Sequence, residues 1–378
     1  MRVAILRRSP KVSFSMDVYA DGLIAGLKAV RPNWKIVEFS PQINASSSKR
    51  KSFFDGVTSY YERYWRYPLT LTKQQVDIFH IIDHSDGHLA RWLQRNHQPI
   101  IVTCHDLINL IQPENVYNQA LLPSVSMAAW KYAIKGMHKA RHIITVSSHT
   151  AQDVVRELHI QPERITVVPN AVESIFRPLR ESEINFFRQQ KGISPAKFCL
   201  LNVGSNQPRK NVFTTLHVLQ VLKEKGLPIH YWKAGADFTH EQKQFIQTHN
   251  LENSVTYLGK PDKQTLVKIY NAADILLAPS LYEGFGMTII EAMACGTAVI
   301  TSNVTSLPEV AGDAAILVSP IDVPAMVQAV CHLFEDKSYR QSLVEKGLVR
   351  SKLFTWEKTA EQIAEIYEKS ALNSIQNK

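Results

Sequence analysis

Short apolar runs alternate with amphipathic stretches along nearly the whole chain, and the alternation starts twice. In the first series, runs near Val3–Leu6, Ile36–Phe39, Ile78–Ile82, Ile100–Thr103, His142–Thr145 and Ile165–Val168 predict buried strands. Helices are expected over Met16–Ala29, His88–Asn96, Ser124–Lys139 and His149–His159, the last entered through Ser147 and Ser148, both good caps. Strands buried on both faces and separated by helices specify parallel sheets with crossover connections. A second series opens at Phe198–Val203 and continues through Ile229–Lys233, Val255–Leu258, Ile275–Ala278, Ala298–Ile300 and Ala315–Val318. Between the two lies FRPLRESEINFFRQQKGISPAK (176–197), polar and broken by Pro178 and Pro195. The expected fold class is therefore α/β, with two Rossmann-like doubly wound domains facing a cleft. Residues 1–178 form the first, 179–196 the linker, and 197–354 the second.

At 378 residues the chain is long enough for two such cores. No apolar run reaches the ~18 residues a membrane-spanning helix needs. The start, MRVAILRRSP, has too few apolar residues before Arg7 for a signal peptide and reads as a first buried strand, so a cytoplasmic protein is expected. Cys104, Cys199, Cys295 and Cys331 lie far apart without metal-ligand spacing and read as reduced thiols. After the first strand the loop reads RRSPKVSFSMD, not Gly-x-Gly-x-x-Gly, which disfavours a nicotinamide enzyme. Charge is uneven: residues 1–180 hold 23 Lys and Arg against 14 Asp and Glu, whereas 181–378 hold 20 of each. An electropositive half attracts anionic lipid, nucleic acid or an acidic substrate, or is simply solvated.

Open parallel sheets bind ligands at the carboxyl ends of their strands, so the chemistry-bearing residues are sought there. Residues 271–312 are the richest such stretch. The strand DILLA ends at Pro279-Ser280, Glu283 follows, then Gly284, Phe285 and Gly286 form a turn that opens a helix near Met287 and Thr288. A Gly-rich turn feeding a helix N-terminus offers free N–H groups and a positive dipole end, which suits a phosphate. Glu291 stands one turn into that helix, within reach of a polar group beside the phosphate. Gly204 and Ser205 follow the strand FCLLNV, with Arg209 and Lys210 placed to aim two cations at a diphosphate. In the first half, His105 and Asp106 close the strand PIIVTC, and His80, Asp83 and His84 end another. His84, Asp83 and Asp106 are candidates for the acceptor side. With no Asp-x-Asp and few carboxylates nearby, no metal site is expected. The stretch 46–71 interleaves Lys49, Arg50, Lys51, Arg63 and Arg66 with Phe53, Phe54, Tyr60, Tyr61, Tyr64, Trp65 and Tyr67. That mixture suits a membrane surface or lipid-linked acceptor, single-stranded nucleic acid, or a helix packed by its aromatic rings.

The run AADILLAPSLYEGFGMTIIEAMACGTAVI, followed by SLPEVAGDAAILVSP, resembles the signature region of retaining nucleotide-sugar glycosyltransferases with the two-Rossmann-domain (GT-B) fold, of the group 1, family 4 type. The likeness extends more weakly over nearly the whole chain. It implies a metal-independent hexosyltransferase without a cofactor, whose co-substrate is a GDP- or UDP-sugar and whose acceptor is a hydroxyl of a glycan or lipid-linked acceptor. It implies that Glu291 binds the ribose, and that Glu283 with the turn Gly284, Phe285, Gly286, Met287 and Thr288 holds the donor. Arg209, Lys210, Gly204 and Ser205 would meet the diphosphate, Gly259 would lie by the base, and His105 would meet the donor sugar. Many members place Arg where this chain has Ser205. The resemblance also implies that 355–378 form a helix packing back on the N-terminal domain. The partners expected are a nucleotide sugar, a glycan or lipid-linked acceptor and, through 46–71, an anionic membrane surface on the cytoplasmic side. No nucleic acid is expected. The alternatives are an epimerase- or phosphorylase-like enzyme and a non-catalytic sugar-nucleotide-binding subunit.

Overall fold

The computed structural model describes residues 1–10, 13–42, 58, 60–112, 123–194 and 196–376. They form two compact units: Met1–Ala171 with Trp356–Lys378, and Val172–Thr355.

The first unit is a parallel sheet of β1 (Arg2–Leu6), β2 (Lys35–Phe39), β3 (Ile78–Ile81), β4 (Ile100–Cys104), β5 (His142–Thr145) and β6 (Ile165–Val167), in the order β2-β1-β3-β4-β5-β6. Successive side chains of a strand face opposite ways, and the core divides accordingly. Ala4 and Leu6 join Phe79, Ile81 and Val102 on one face, while Val3 and Ile5 join Ile78, Ile101 and Ile144 on the other. The second face is closed by two helices, Phe14–Val30 and Trp356–Gln376. They meet at glycines: a Cβ on Gly22 would lie 2.1 Å from the Trp356 ring, and one on Gly26 would lie 2.8 Å from Ala360 Cβ. Arg31 ties the same pair of helices, 2.7 Å from Glu361 and 2.9 Å from Glu368.

His80 belongs to this packing and not to a ligand site. Lying within β3, it points into the buried face, with Nδ1 2.5 Å from the Tyr367 hydroxyl and Nε2 2.7 Å from Thr103 Oγ1. Burial lowers its pKa to about 3, so the ring is neutral.

The second unit is a parallel sheet of β7 (Phe198–Gly204), β8 (Ile229–Gly235), β9 (Val255–Tyr257), β10 (Ile275–Ala278), β11 (Ala298–Ser302) and β12 (Ile316–Val318), in the order β12-β11-β10-β7-β8-β9. The strand order reverses between β10 and β7, and a doubly wound sheet opens a crevice at such a reversal. In the first sheet the corresponding place lies between β1 and β3. The stretch 179–196, expected as a linker, carries the helix Glu181–Gln190 and belongs to the second unit. Phe187 is buried edge-on to Trp232, and Arg188 reaches the Ala272 carbonyl at 2.8 Å and Asp274 at 3.1 Å. A helix that buries one side only has the polar composition of a linker, which is why the two look alike in sequence.

Candidate active site

In the second unit, the loops leaving β7 and β10 converge at the reversal point. Asn211 joins them: held at φ 53°, it donates from Nδ2 to the Pro279 carbonyl at 3.0 Å, while the Leu281 N–H donates to the Arg209 carbonyl at 2.7 Å. Glu283 sits at the centre, with only 8% of its surface exposed. Lys210 Nζ lies 2.6 Å from its Oε1, Arg209 Nη1 lies 2.7 Å from its Oε2, and the Ser280 hydroxyl donates to Oε1 at 2.8 Å. Burial alone would raise the pKa of this carboxyl, but Lys210 and Arg209 outweigh it and hold it at about 2. One carboxylate thus gathers two cations, leaving the cluster one positive charge in excess.

The turn after Glu283 requires glycine at one point. Gly286 adopts φ 108°, where an L side chain is strained, and a Cβ there would press to 3.0 Å from Leu307. Gly284 needs no such conformation. Ser306 Oγ lies 2.9 Å from the carbonyl oxygens of both Glu283 and Phe285, and the Glu283 N–H donates to Thr305 Oγ1 at 3.2 Å. The helix Met287–Ala294 starts at this turn with Met287 and Thr288 half-buried. Glu291, one turn in, accepts a 2.8 Å hydrogen bond from the buried Tyr270 hydroxyl. Desolvation raises its pKa to about 7. A carboxyl poised in that way accepts a hydroxyl donor readily, since such a donor stabilises its charged form.

Glycines lace the ends of β7, β8 and β9. The Ala236 N–H donates to the Gly204 carbonyl at 2.9 Å and the Gly235 N–H donates to the Gly259 carbonyl at 2.8 Å. A Cβ on Gly235 would lie 2.3 Å from the Gly204 oxygen, so only glycine fits there. Gly204 has φ 137° and Gly259 φ 76°, and the space beside Gly259 is open. Ser205 is half-buried. Two residues here escape the sequence reading. Tyr270 carries no signal in sequence, but Lys233, a lone lysine in the strand IHYWKAG, does.

In the first unit the strand ends hold a different chemistry. His105 lies just past β4 and is 9% exposed; its Nε2 is 2.9 Å from the Ile82 carbonyl and its ring meets Tyr19 edge-on at 4.7 Å. Burial lowers its pKa, so the imidazole is neutral and donates from Nε2 to that carbonyl, which leaves Nδ1 an acceptor. His84 Nδ1 accepts from the His105 N–H at 3.4 Å. Asp83 is 2.6 Å from Arg8 and accepts the Ser85 N–H at 2.9 Å; burial pushes its pKa up, yet Arg8 prevails and holds it well below the usual range. Asp106 accepts the Ile108 N–H at 3.2 Å. Among the described residues, no group of three or more His, Cys, Asp or Glu is arranged to hold a metal ion.

Part of the basic–aromatic stretch is visible. Lys49, Arg50, Lys51, Phe53 and Phe54 lie outside the described residues. Arg63 pairs with Asp86 at 2.5 Å, Tyr64 rests on His88 with ring centres 4.4 Å apart, and buried Tyr67 donates to the Phe39 carbonyl at 2.9 Å. Tyr61 and Trp65, four residues apart on the other side, are 60% and 58% exposed. The stretch both packs and presents aromatic rings outward. No helix among the described residues is long and apolar enough to cross a membrane.

Comparison with known proteins agrees with this fold. Residues 183–350 match the family described as Glycosyl transferases group 1, and residues 31–174 match Glycosyltransferase Family 4. The chain is 32% identical over 244 residues to the O-antigen chain mannosyltransferase B of Escherichia coli, covering 63% of this chain and 64% of that protein. It is 25% identical over 294 residues to the serotype-specific mannosyltransferase WbdA of Escherichia coli, covering 75% of this chain and 36% of that one. It thus spans less than two thirds of the length of either relative, 64% and 36%. Among solved structures, HepE from Anabaena in complex with UDP and glucose superposes with a TM-score of 0.76 at 18% identity, covering 98% of this chain and 100% of the other. WaaG, a glycosyltransferase involved in lipopolysaccharide biosynthesis, gives 0.71 at 15% identity, covering 97% and 99%. At such identities the structural likeness speaks for the fold.

Proposed function

We propose, on the premise that this chain belongs to the group 1 glycosyltransferases with the GT-B fold, that it is a retaining transferase moving a mannosyl group from a nucleotide diphosphate to a hydroxyl of a growing glycan. The observation that carries the reading is the convergence of Arg209 and Lys210 on Glu283 at the strand-order reversal of the second sheet. Breaking a sugar–diphosphate bond places new negative charge on the leaving diphosphate and positive charge on the sugar ring. A preorganised cluster with one carboxylate and two cations answers both. The cations neutralise the departing phosphate oxygens, and Glu283, already ionised and fixed by Ser280, faces the oxocarbenium-like carbon. No metal ion and no cofactor enters the reaction as proposed.

Other residues take supporting roles. Glu291 binds the ribose hydroxyls, its charge favoured once a donor reaches it. The Gly284–Gly286 turn and the start of the Met287–Ala294 helix hold the sugar and phosphate, with Phe285 buried beneath. Gly204, Ser205 and Gly259 offer backbone to the diphosphate and base. His105, neutral, accepts a sugar hydroxyl at Nδ1, while His84, Asp83 and Asp106 shape the acceptor side. The mannosyl assignment is supported by the activities for which the Escherichia coli relatives are named. Tyr61 and Trp65 are assigned to an anionic membrane surface that would carry a lipid-linked acceptor.

The test is transfer of radiolabel from GDP-mannose, UDP-glucose and their hexose variants to glycan acceptors, with product anomericity read by NMR. Net retention and a steep loss in Glu283→Ala support the reading. Turnover of the donor without an acceptor points to an epimerase. Donor binding without any turnover in wild type points to a partner subunit.

A further inference from the structure

Lys233 lies fully buried in β8, the strand next to the sheet edge, a place where an ammonium group loses its hydration. Its residue is 0% exposed, and its neighbours in β8 are buried Trp232 and Ala234. No carboxylate bonds to it among the described residues. The nearest charges acting on it are Lys210, which opposes its own, and Asp237, which is committed to Lys243 at 2.6 Å. Nζ instead donates to two backbone carbonyls, that of Gly204 at 2.8 Å and that of Ala234 at 3.2 Å. Desolvation, with Lys210 next, brings its pKa down to about 8. A methionine would fill the same space without that cost, so the charge requires a reason beyond packing.

The bond to Gly204 supplies one. The Gly204 carbonyl is gripped from the β8 side by both Lys233 Nζ and the Ala236 N–H. The peptide joining Gly204 to Ser205 is planar and trans, so its N–H points opposite to its C=O. The Ser205 N–H is therefore aimed away from β8, towards the β10 side of β7, where the strand order reverses. No protein acceptor takes that N–H among the described residues. Rotating this peptide would require breaking both bonds at Gly204.

We propose that Lys233 is a positioning residue for the donor diphosphate: it locks the Gly204–Ser205 peptide so that the Ser205 N–H is presented to a phosphate oxygen, and it adds a third cation beneath the loop of Arg209 and Lys210. The inference rests on the reading of Gly204–Lys210 as the diphosphate loop. It also accounts for Ser205 itself: where relatives of this type place an arginine, this chain meets the phosphate with a fixed amide and a cation from the strand below.

The experiment is calorimetric titration of the purified full chain with ADP, CDP, GDP and UDP and with the matching nucleosides, comparing wild type, Lys210→Met and Lys233→Met. The expected result is a loss of about tenfold or more in diphosphate affinity for Lys233→Met, as for a hydrogen bond to a charged group, with nucleoside affinity unchanged. Equal loss for nucleoside and diphosphate, or none for either, overturns the proposal while leaving the loop reading intact. Absence of diphosphate binding in wild type removes the loop reading and the inference with it. Should Lys233→Met not fold, amide NMR of the wild type decides. The Ser205 resonance must move downfield with the diphosphate and not with the nucleoside; an unmoved resonance overturns the proposal.

Discussion

The two sheets end in clusters that handle charge in opposite ways. In the first unit, whose half of the sequence carries the whole positive excess, the strand-end charges close in pairs: Arg8 with Asp83 and Arg63 with Asp86. In the second, whose half is neutral, Arg209 and Lys210 gather around a single carboxylate. Net charge over a few hundred residues therefore says little about the field at a site. What matters is whether each cation has its own anion. A closed pair is a structural element, whereas an open cluster is a receptor for charge that arrives with a ligand.

Substitutions that open or empty these clusters test the contrast. Glu283→Ala is expected to cut the transfer rate about a thousandfold or more, while nucleoside diphosphate binding persists because both cations are released; initial rates and titration check it. Lys210→Met, which removes one of the gathered cations, is expected to lower kcat about a hundredfold and to weaken diphosphate binding as well. Asp83→Asn breaks a closed pair instead. It is expected to destabilise the fold by about 2 kcal/mol in urea and to leave diphosphate affinity in place. Should Asp83→Asn abolish binding, the contrast between receptor and structural pair is lost.

Glu291→Gln sharpens the picture through pH. The folded pKa of Glu291 lies above its unfolded value, so the folded state holds its proton longer and stability falls as pH rises from about 4.5 to about 7. Removing the charge should therefore leave stability near pH 4 unchanged and raise it above pH 7 by about 3 kcal/mol, read by melting across the range. Nucleoside affinity should fall about tenfold in the same protein. The smallest effect is expected outside both clusters. Trp65→Ser with Tyr61→Ser should leave melting within about 1 kcal/mol of wild type, as exposed positions do, and reduce sedimentation with anionic vesicles. Unchanged vesicle binding would remove the membrane assignment.

The two-sheet architecture was legible because fully buried parallel strands leave uninterrupted apolar runs, and each expected strand is found within two residues of its place. The Gly-Phe-Gly turn with Glu283 and Glu291 was legible for the same reason, since its strand, turn and helix are contiguous. What was not legible joins residues far apart in sequence. The bonds of Arg209 and Lys210 to Glu283 cross more than seventy positions, and the sequence presents these side chains only as residues for a diphosphate. Tyr270 behind Glu291 is hidden likewise. His80 and His105 show how fine the margin is. Both stand near strand ends, but His80 is within β3 and faces the core, while His105 is past the end of β4. The helix at 181–190 misled because polar residues serve a linker and a one-sided helix equally well.

The return of residues 356–376 to the first unit sets an order of events during synthesis. Domains usually complete themselves in the order they are made. Here residues 172–355 can close their sheet while the earlier one still lacks its lid, with Gly22 and Gly26 facing no Trp356 and His80 no Tyr367. The portion translated first is therefore the last to mature. Until that helix arrives, the part of that face left uncovered by the helix Phe14–Val30 is an exposed apolar surface for chaperones to guard.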